Sequence, residues 1–333
     1  MLTLPPRNFA WRNRGNALTW GCNFKDVLTA GYHRILATSM VDLAELRGLV
    51  PEMSRIPNAV YFHENQFAYP ERLERKEGQN YHLTNIFTAL AADRVLFNSK
   101  FNRQSMLEGI RNLLKAMPDC IPSGVVQAIE DRSEVIPVPL EKICYLKHIL
   151  PSDSTPLTLV WNHRWEHDKA PERFFQVLFE LADRGARFKV HVMGQRFRDC
   201  PPVFDEARER LGDRILTWGH VPDDGEYRNI LTTSDVVMST SLHDFQGLAV
   251  LEAVAAGCVP LVPDRLAYRE LFEERFRYPS FPHDAEEESR GLMAVLSGMC
   301  AEPLAVRQTS LPDLEWLSWE NQTEAYRIVL EKM

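Results

Sequence analysis

Short, near-continuous apolar runs recur along this chain, and each is followed by a stretch with helical spacing. This alternation is what most limits the fold. Strands that are apolar on both faces belong to parallel sheets covered by helices on both sides. In the first half the runs are residues 34–38, 58–62, 94–97 and 134–138. In the second half they are 157–162, 188–193, 215–218, 236–239 and 259–262. After Lys169, residues Phe174, Phe175, Val177, Leu178, Leu181 and Ala182 fall on one helical face, and Gly185 offers a stop.

At 333 residues the chain is long for one core and comfortable for two domains. Turn formers cluster in LPSDSTP, residues 150–156, between two series of strands and helices. The expected division is an N-terminal domain over 1–150, a C-terminal domain over 151–310, and a C-terminal helical segment over 311–333 returning towards the first domain. Open parallel sheets bind ligands beyond the carboxyl ends of their strands. Two doubly wound α/β domains facing each other would therefore enclose an interdomain cleft. The start is unusual: MLTLPP looks like the second strand of such a domain, and no Gly-rich phosphate loop lies near it.

Composition narrows the class. The hydrophobic fraction of 45% and charged fraction of 25% are those of an ordinary globular protein. The net charge of −8 argues against non-specific nucleic-acid binding, while leaving room for a local basic patch. Six scattered cysteines without a CxxC pair argue against a zinc site and against a disulfide scaffold in so large a chain. The first residues lack the apolar core of a signal peptide, and no run approaches the roughly 20 apolar residues of a membrane span. The reading is a reduced, soluble, cytoplasmic protein that engages no membrane.

Five stretches could carry chemistry. In LHDFQGLAVLEAVAAGCVPLVP, Asp244 and Glu252 stand eight positions apart with Gly247 between them. Asp244 lies past a strand's carboxyl end, where it could bind a sugar hydroxyl. Gly247 lets the backbone approach a ligand, and the helix starting at Leu248 favours an anion such as a diphosphate at its head. Glu252 could accept two hydrogen bonds from a ribose diol. The alternative is a helix cap and a solvated face. In VWNHRWEHDKAPERFF, Arg164 and Lys169 precede a helix and suit a diphosphate, or else are ordinary surface charges. In VYFHENQFAYP, His63 ends a strand and could face the cleft, or serve as a structural hydrogen-bonder. In RVLFNSKFN, Asn98, Ser99 and Asn102 sit at a strand end and helix start, with Ser99 a helix cap. In PPRNFAWRNRG, Arg7, Arg12 and Arg14 interleave with Phe9 and Trp11, which suits RNA or a phosphate, or an exposed connection.

Together these stretches resemble a retaining glycosyltransferase of the GT-B type, two Rossmann-like domains with an E-x7-E motif. Here Asp244 replaces the first Glu of the motif, Glu252 is the second, and Arg164 and Lys169 match the family's diphosphate-binding pair. The stretches YFHENQFAYP, ADRVLFNSKFN, WNHRWEHDKAPERFF and HDFQGLAVLEAVAAGC narrow the resemblance to the tRNA-queuosine α-mannosyltransferases. That group carries about 30 further residues at the front, one strand-and-helix unit. The resemblance implies mannosyl transfer from the nucleotide sugar GDP-mannose to queuosine in a tRNA anticodon, with retention and without a metal or other cofactor. Arg164 and Lys169 would stabilise the leaving diphosphate, Gly247, Leu248 and Glu252 would hold the nucleotide, and Asp244 and His63 would position the mannose. The alternatives are a GT-B enzyme with a glycan or lipid acceptor, and an inactive nucleotide-sugar- or RNA-binding relative.

Overall fold

The structure, a computed structural model, describes residues 1–5, 8–68, 78–145 and 155–333. These divide into two compact units, Met1–Val138 with Gln322–Met333, and Pro139–Asn321. Most of the turn cluster at 150–156, residues 150–154, lies outside the described residues, as does Arg7. Among the described residues no helix is long and apolar enough to cross a membrane.

In the first unit, β1 (Ile35–Thr38), β2 (Asn58–Phe62), β3 (Arg94–Phe97) and β4 (Ser133–Val135) form a parallel sheet in that order. Side chains alternate between the faces of a strand. Val60 and Phe62 pack with Ile86, Ala89, Met106 and Ile110 from the helices Gly78–Ala91 and Lys100–Lys115. Ala59 and Tyr61 point the other way and meet Leu96, Ile136 and Val329 of the last helix, Trp319–Glu331. Full burial of side chains this size contributes about 1.5–3 kcal/mol each.

The first unit departs from the sequence reading near its ends. The fourth strand ends at Val135 rather than residue 138, because Pro137 and Pro139 have no N–H to donate to a ladder. Residues 1–5 form no strand; Leu2 and Leu4 pack instead beside Ala17, Trp20 and Leu46. The Arg- and aromatic-rich stretch that follows is a helix, Phe9–Asn23, with Trp11 and Arg14 exposed.

The second unit holds β5 (Leu157–Asn162), β6 (Phe188–Met193), β7 (Ile215–Gly219), β8 (Val236–Met238), β9 (Val259–Pro263) and β10 (Arg277–Tyr278). Their spatial order is β10-β9-β8-β5-β6-β7, all parallel. The order thus reverses between β5 and β8. Helices on either side of such a point leave on opposite faces and open a crevice at the strand ends. The core beside it is aromatic: Trp165 stacks on Phe204 at 4.1 Å, with Trp161, Phe174, Phe175 and Trp218 around them. Strand β10, two residues long, is too short to show in the sequence pattern.

Candidate active site at the strand-order reversal

Two loops leave the reversal point. The first runs from the end of β5 through a 3-10 turn, His167–Lys169, to Ala170 and the helix Pro171–Asp183. The second runs from the end of β8 through Asp244 to Gly247 and the helix Leu248–Ala255. Hydrogen bonds lock them together. The Asp168 carbonyl accepts from the amides of Leu242, at 2.8 Å, and His243, at 3.3 Å. Thr240 Oγ1 donates towards the carbonyls of Lys169, at 2.8 Å, and Ala170, at 3.1 Å. Ala170 has φ +45°, a strained value for a residue with a Cβ, and Thr240 braces that turn. Gly247 has φ +72°, and a Cβ there would lie 2.8 Å from the Tyr268 ring. Only glycine fits both the backbone and the space.

Lys169 is the centre of the charge arrangement. Its side chain is 10% exposed, and Nζ donates to the His243 carbonyl at 2.6 Å. Oδ2 of Asp168 and Oδ2 of Asp244 each lie 3.5 Å away. Asp244 Oδ1 accepts from the Gly247 amide at 2.8 Å, and its Oδ2 from the Tyr268 hydroxyl at 3.3 Å. Burial works against the Asp244 charge, but Lys169, His163, the Gly247 amide and His243 outweigh it, and the carboxyl pKa is lowered. The imidazoles of His163 and His243 are both buried, and both are pushed down to about 4, first by burial and then by Lys169. Both are therefore neutral at pH 7. The helix beginning at Leu248 has no acid in its first turn, so its positive end is not offset there.

Residues 1–140 match the family described as tRNA-queuosine alpha-mannosyltransferase N-terminal, and residues 146–305 match glycosyl transferases group 1. The tRNA-queuosine alpha-mannosyltransferase of Drosophila melanogaster is 33% identical over 318 residues, covering 92% of this chain and 81% of the fly protein. The chain belongs to the tRNA-queuosine α-mannosyltransferase family. Part of the chain also resembles another glycosyltransferase: a 2-deoxystreptamine glucosyltransferase of Streptomyces kanamyceticus is 30% identical over 139 residues, covering 42% of this chain and 34% of that protein. Among solved structures, a sucrose-phosphate synthase from Thermosynechococcus elongatus superposes with a TM-score of 0.68 at 15% identity, over 100% of this chain and 82% of the other. Anabaena HepE in complex with UDP-glucose gives 0.66 at 14%, over 96% and 84%. These neighbours establish the fold as GT-B, with two Rossmann-like domains, and the family makes the chain a glycosyltransferase.

Within this member of the α-mannosyltransferase family, Lys169, Asp244 and Gly247 converge on one point. Arg164 stands nearer the rim, 53% exposed, with Glu166 at 3.0 Å, and its charge is among those felt by His243. Glu252 is half-buried one turn into its helix and accepts a hydrogen bond from Tyr227 at 2.9 Å. Leu248 is 38% exposed at the helix head. His63 belongs to the first unit; its carbonyl accepts from Asn98 Nδ2 at 2.8 Å and its ring lies 4.5 Å from that of Tyr61. It is exposed, yet crowded enough that desolvation lowers its imidazole pKa. Ser99 caps the helix Lys100–Lys115, accepting from the Asn102 amide at 3.0 Å, and Asn102 is fully buried.

Sequence reasoning missed His163, Thr240, Tyr268 and Tyr227. The first two carry a readable signal: a buried apolar strand that runs straight into polar residues, as in VWNH and VVMSTS, must find partners for them. Tyr268 and Tyr227 carry none, because their partners lie 24 and 25 positions away.

Proposed function

We propose that this chain transfers mannose from GDP-mannose to queuosine in the anticodon of a tRNA, with retention at the sugar carbon. The observation that carries the reading is the Lys169–Asp244 pair held at the head of the Leu248 helix, in a chain of this family. The acceptor follows the name of the fly relative, and a cytoplasmic place of action follows from that acceptor.

The charge arrangement suits departure of a diphosphate. An ammonium has three N–H bonds to give. Lys169 commits one at 2.6 Å to the His243 carbonyl, while its contacts with the two carboxylates are long, at 3.5 Å. A phosphate oxygen competes with the long contacts and leaves the short one in place. Arg164 adds a bidentate fork from the rim, and the helix head adds its amides. These groups act where negative charge grows as the bond from the sugar carbon to phosphate breaks. The acceptor hydroxyl adds from the same face, and its proton passes to the departing phosphate. Asp244 and His63 position the mannose; Glu252 holds the ribose.

The test is a mass shift on tRNA. Queuosine-containing tRNA is incubated with the protein and, separately, GDP-mannose, UDP-glucose and UDP-galactose, then digested to nucleosides. Queuosine heavier by one hexose with GDP-mannose alone is the expected result. A gain with another donor replaces mannose in the reading, and no gain with any donor removes queuosine as the acceptor.

A further inference from the structure

Glu252 does not stand alone. Its Oε2 accepts from the Tyr227 hydroxyl at 2.9 Å, and that hydroxyl lies 3.1 Å from Asn162 Nδ2. The same Nδ2 donates to the Ala249 carbonyl at 2.8 Å. A carbonyl only accepts, so the amide nitrogen faces it, and the direction of the whole chain follows. Asn162 donates to the tyrosine oxygen, and the single tyrosine proton points to Glu252. Burial first, and the Glu252 charge second, push the Tyr227 pKa far up, so the hydroxyl keeps its proton. The three residues come from three elements: the end of β5, the helix Asp224–Thr233 and the helix Leu248–Ala255.

The geometry points to Tyr227 as a positioning residue: backed by Asn162, it engages one oxygen of Glu252 and turns the carboxylate towards the ribose diol of the donor nucleotide. This rests on the reading of Glu252 as the ribose ligand. A glutamate on a helix face otherwise samples several rotamers, and ordering it on binding costs affinity. The Tyr227 bond also supports ionisation. Burial raises the Glu252 pKa, and the tyrosine pulls it back. The other ionisable neighbour is Cys144, on the turn Lys142–Cys144 that packs against the Glu252 helix. Burial first, and Glu252 second, push its thiol up to about 11, with Glu141 and Arg228 acting on it as well. Strands β8 and β9, packed on the same helix, carry no titratable side chain.

The experiment is nucleotide binding by calorimetry on the full chain. GDP, UDP and ADP are titrated first, and the tightest is compared with its 2′,3′-dideoxy form. The wild type should prefer the ribose form by about tenfold or more, the worth of a hydrogen bond to a charged group. Glu252→Ala should lose that preference. Tyr227→Phe, which removes one oxygen and keeps the ring, should lose roughly three- to tenfold of it. What remains in Tyr227→Phe should fade, as the solution is acidified, at a higher pH than in the wild type. A purely structural role would not move that profile, and Glu252→Gln should show none. Tyr227→Phe with the wild-type preference and pH profile overturns the relay while leaving the Glu252 reading intact. A wild type indifferent to the ribose hydroxyls overturns both.

Discussion

The two units treat buried polar groups beyond their strand ends in different ways. In the first, amides and hydroxyls form a web beyond β2 and β3. Asn102 Nδ2 donates to the Phe62 carbonyl and to Asn98 Oδ1, both at 2.8 Å, and Asn65 Nδ2 donates to Asn102 Oδ1 at 2.8 Å and Ser105 Oγ at 2.9 Å. In the second, charged groups join the neutral ones: Lys169 between Asp168 and Asp244, and Glu288 gripped by Arg173 and Arg265. A satisfied amide web shapes a loop and asks nothing of a ligand. A cluster of half-compensated charges is prepared for a charged one. The sheets differ in the same sense. Among the described strands only the second sheet reverses its order, and its charged loops leave from that point.

Acid should separate the units most strongly. His163, His191 and His243, all buried in the second unit, are pushed down to about 4 by burial. Unfolded histidine titrates near 6.5. Between these values the unfolded chain takes up protons that the folded unit refuses, so stability is complete above about pH 6.5 and falls as pH drops towards 4. Each histidine contributes on the order of 2–3 kcal/mol to that fall. Hydrogen exchange across pH 7 to 4 should show the second unit opening first; simultaneous opening would break the comparison.

Next comes Glu288→Gln. Glu288 is 1% exposed, and burial opposes its charge, but Arg265 and Arg173 hold its pKa below the ordinary range. The amide would leave two buried guanidiniums without a counter-charge, at a cost of about 3–5 kcal/mol. Arg265 also donates to the carbonyls of Ser241 at 2.8 Å and Thr240 at 2.9 Å, so the loop carrying Asp244 should loosen too. Urea unfolding and donor binding should both suffer. Unchanged binding in a destabilised protein would mean that the triad supports the fold and not the loop.

Lys169→Ala should cut hexose transfer by about 10²–10³, the usual loss when one group stabilising the departing charge is removed. Circular dichroism checks that the variant is folded. A loss under threefold would remove Lys169 from the diphosphate. The smallest effect belongs to the neutral web. Asn102→Ala leaves the Phe62 carbonyl and the Asn65 amide short of a partner, which costs about 1–3 kcal/mol of stability. Its transfer rate per folded molecule should stay within about threefold of wild type, since the web carries no charge. A larger drop in rate would make the first unit's web part of the chemistry.

Much of this was legible in the chain. The runs 58–62, 94–97, 157–162 and 188–193 coincide with strands to the residue, because a strand covered on both faces reads as a largely apolar run bounded by polar and turn residues. Ser99 was legible as a cap because capping is local, its partner Asn102 being three positions on. Gly247 was legible for the same reason. What the sequence hid was every link between distant residues: Asn162 to Tyr227 spans 65 positions, and Arg173 to the Phe281 carbonyl spans 108. Nothing in their neighbours marks Tyr227 or Glu288 as different from other residues on their helices.

The sequence by itself determined that the chain forms parallel sheets, where their strands lie, and which loops carry Lys169 and Asp244 and which helix start carries Glu252. Local patterns suffice for that, since periodicity and turn chemistry act over a few residues. Only the tertiary structure decided the strand order β8-β5 that sets those two loops side by side. It also decided that Lys169 meets Asp244 across 75 positions, and that Glu252 accepts a hydrogen bond from Tyr227. Each of those contacts depends on where whole elements pack; burial then gives neutral histidines and a tyrosine that keeps its proton, while Lys169 and its neighbours hold Asp244 ionised against burial.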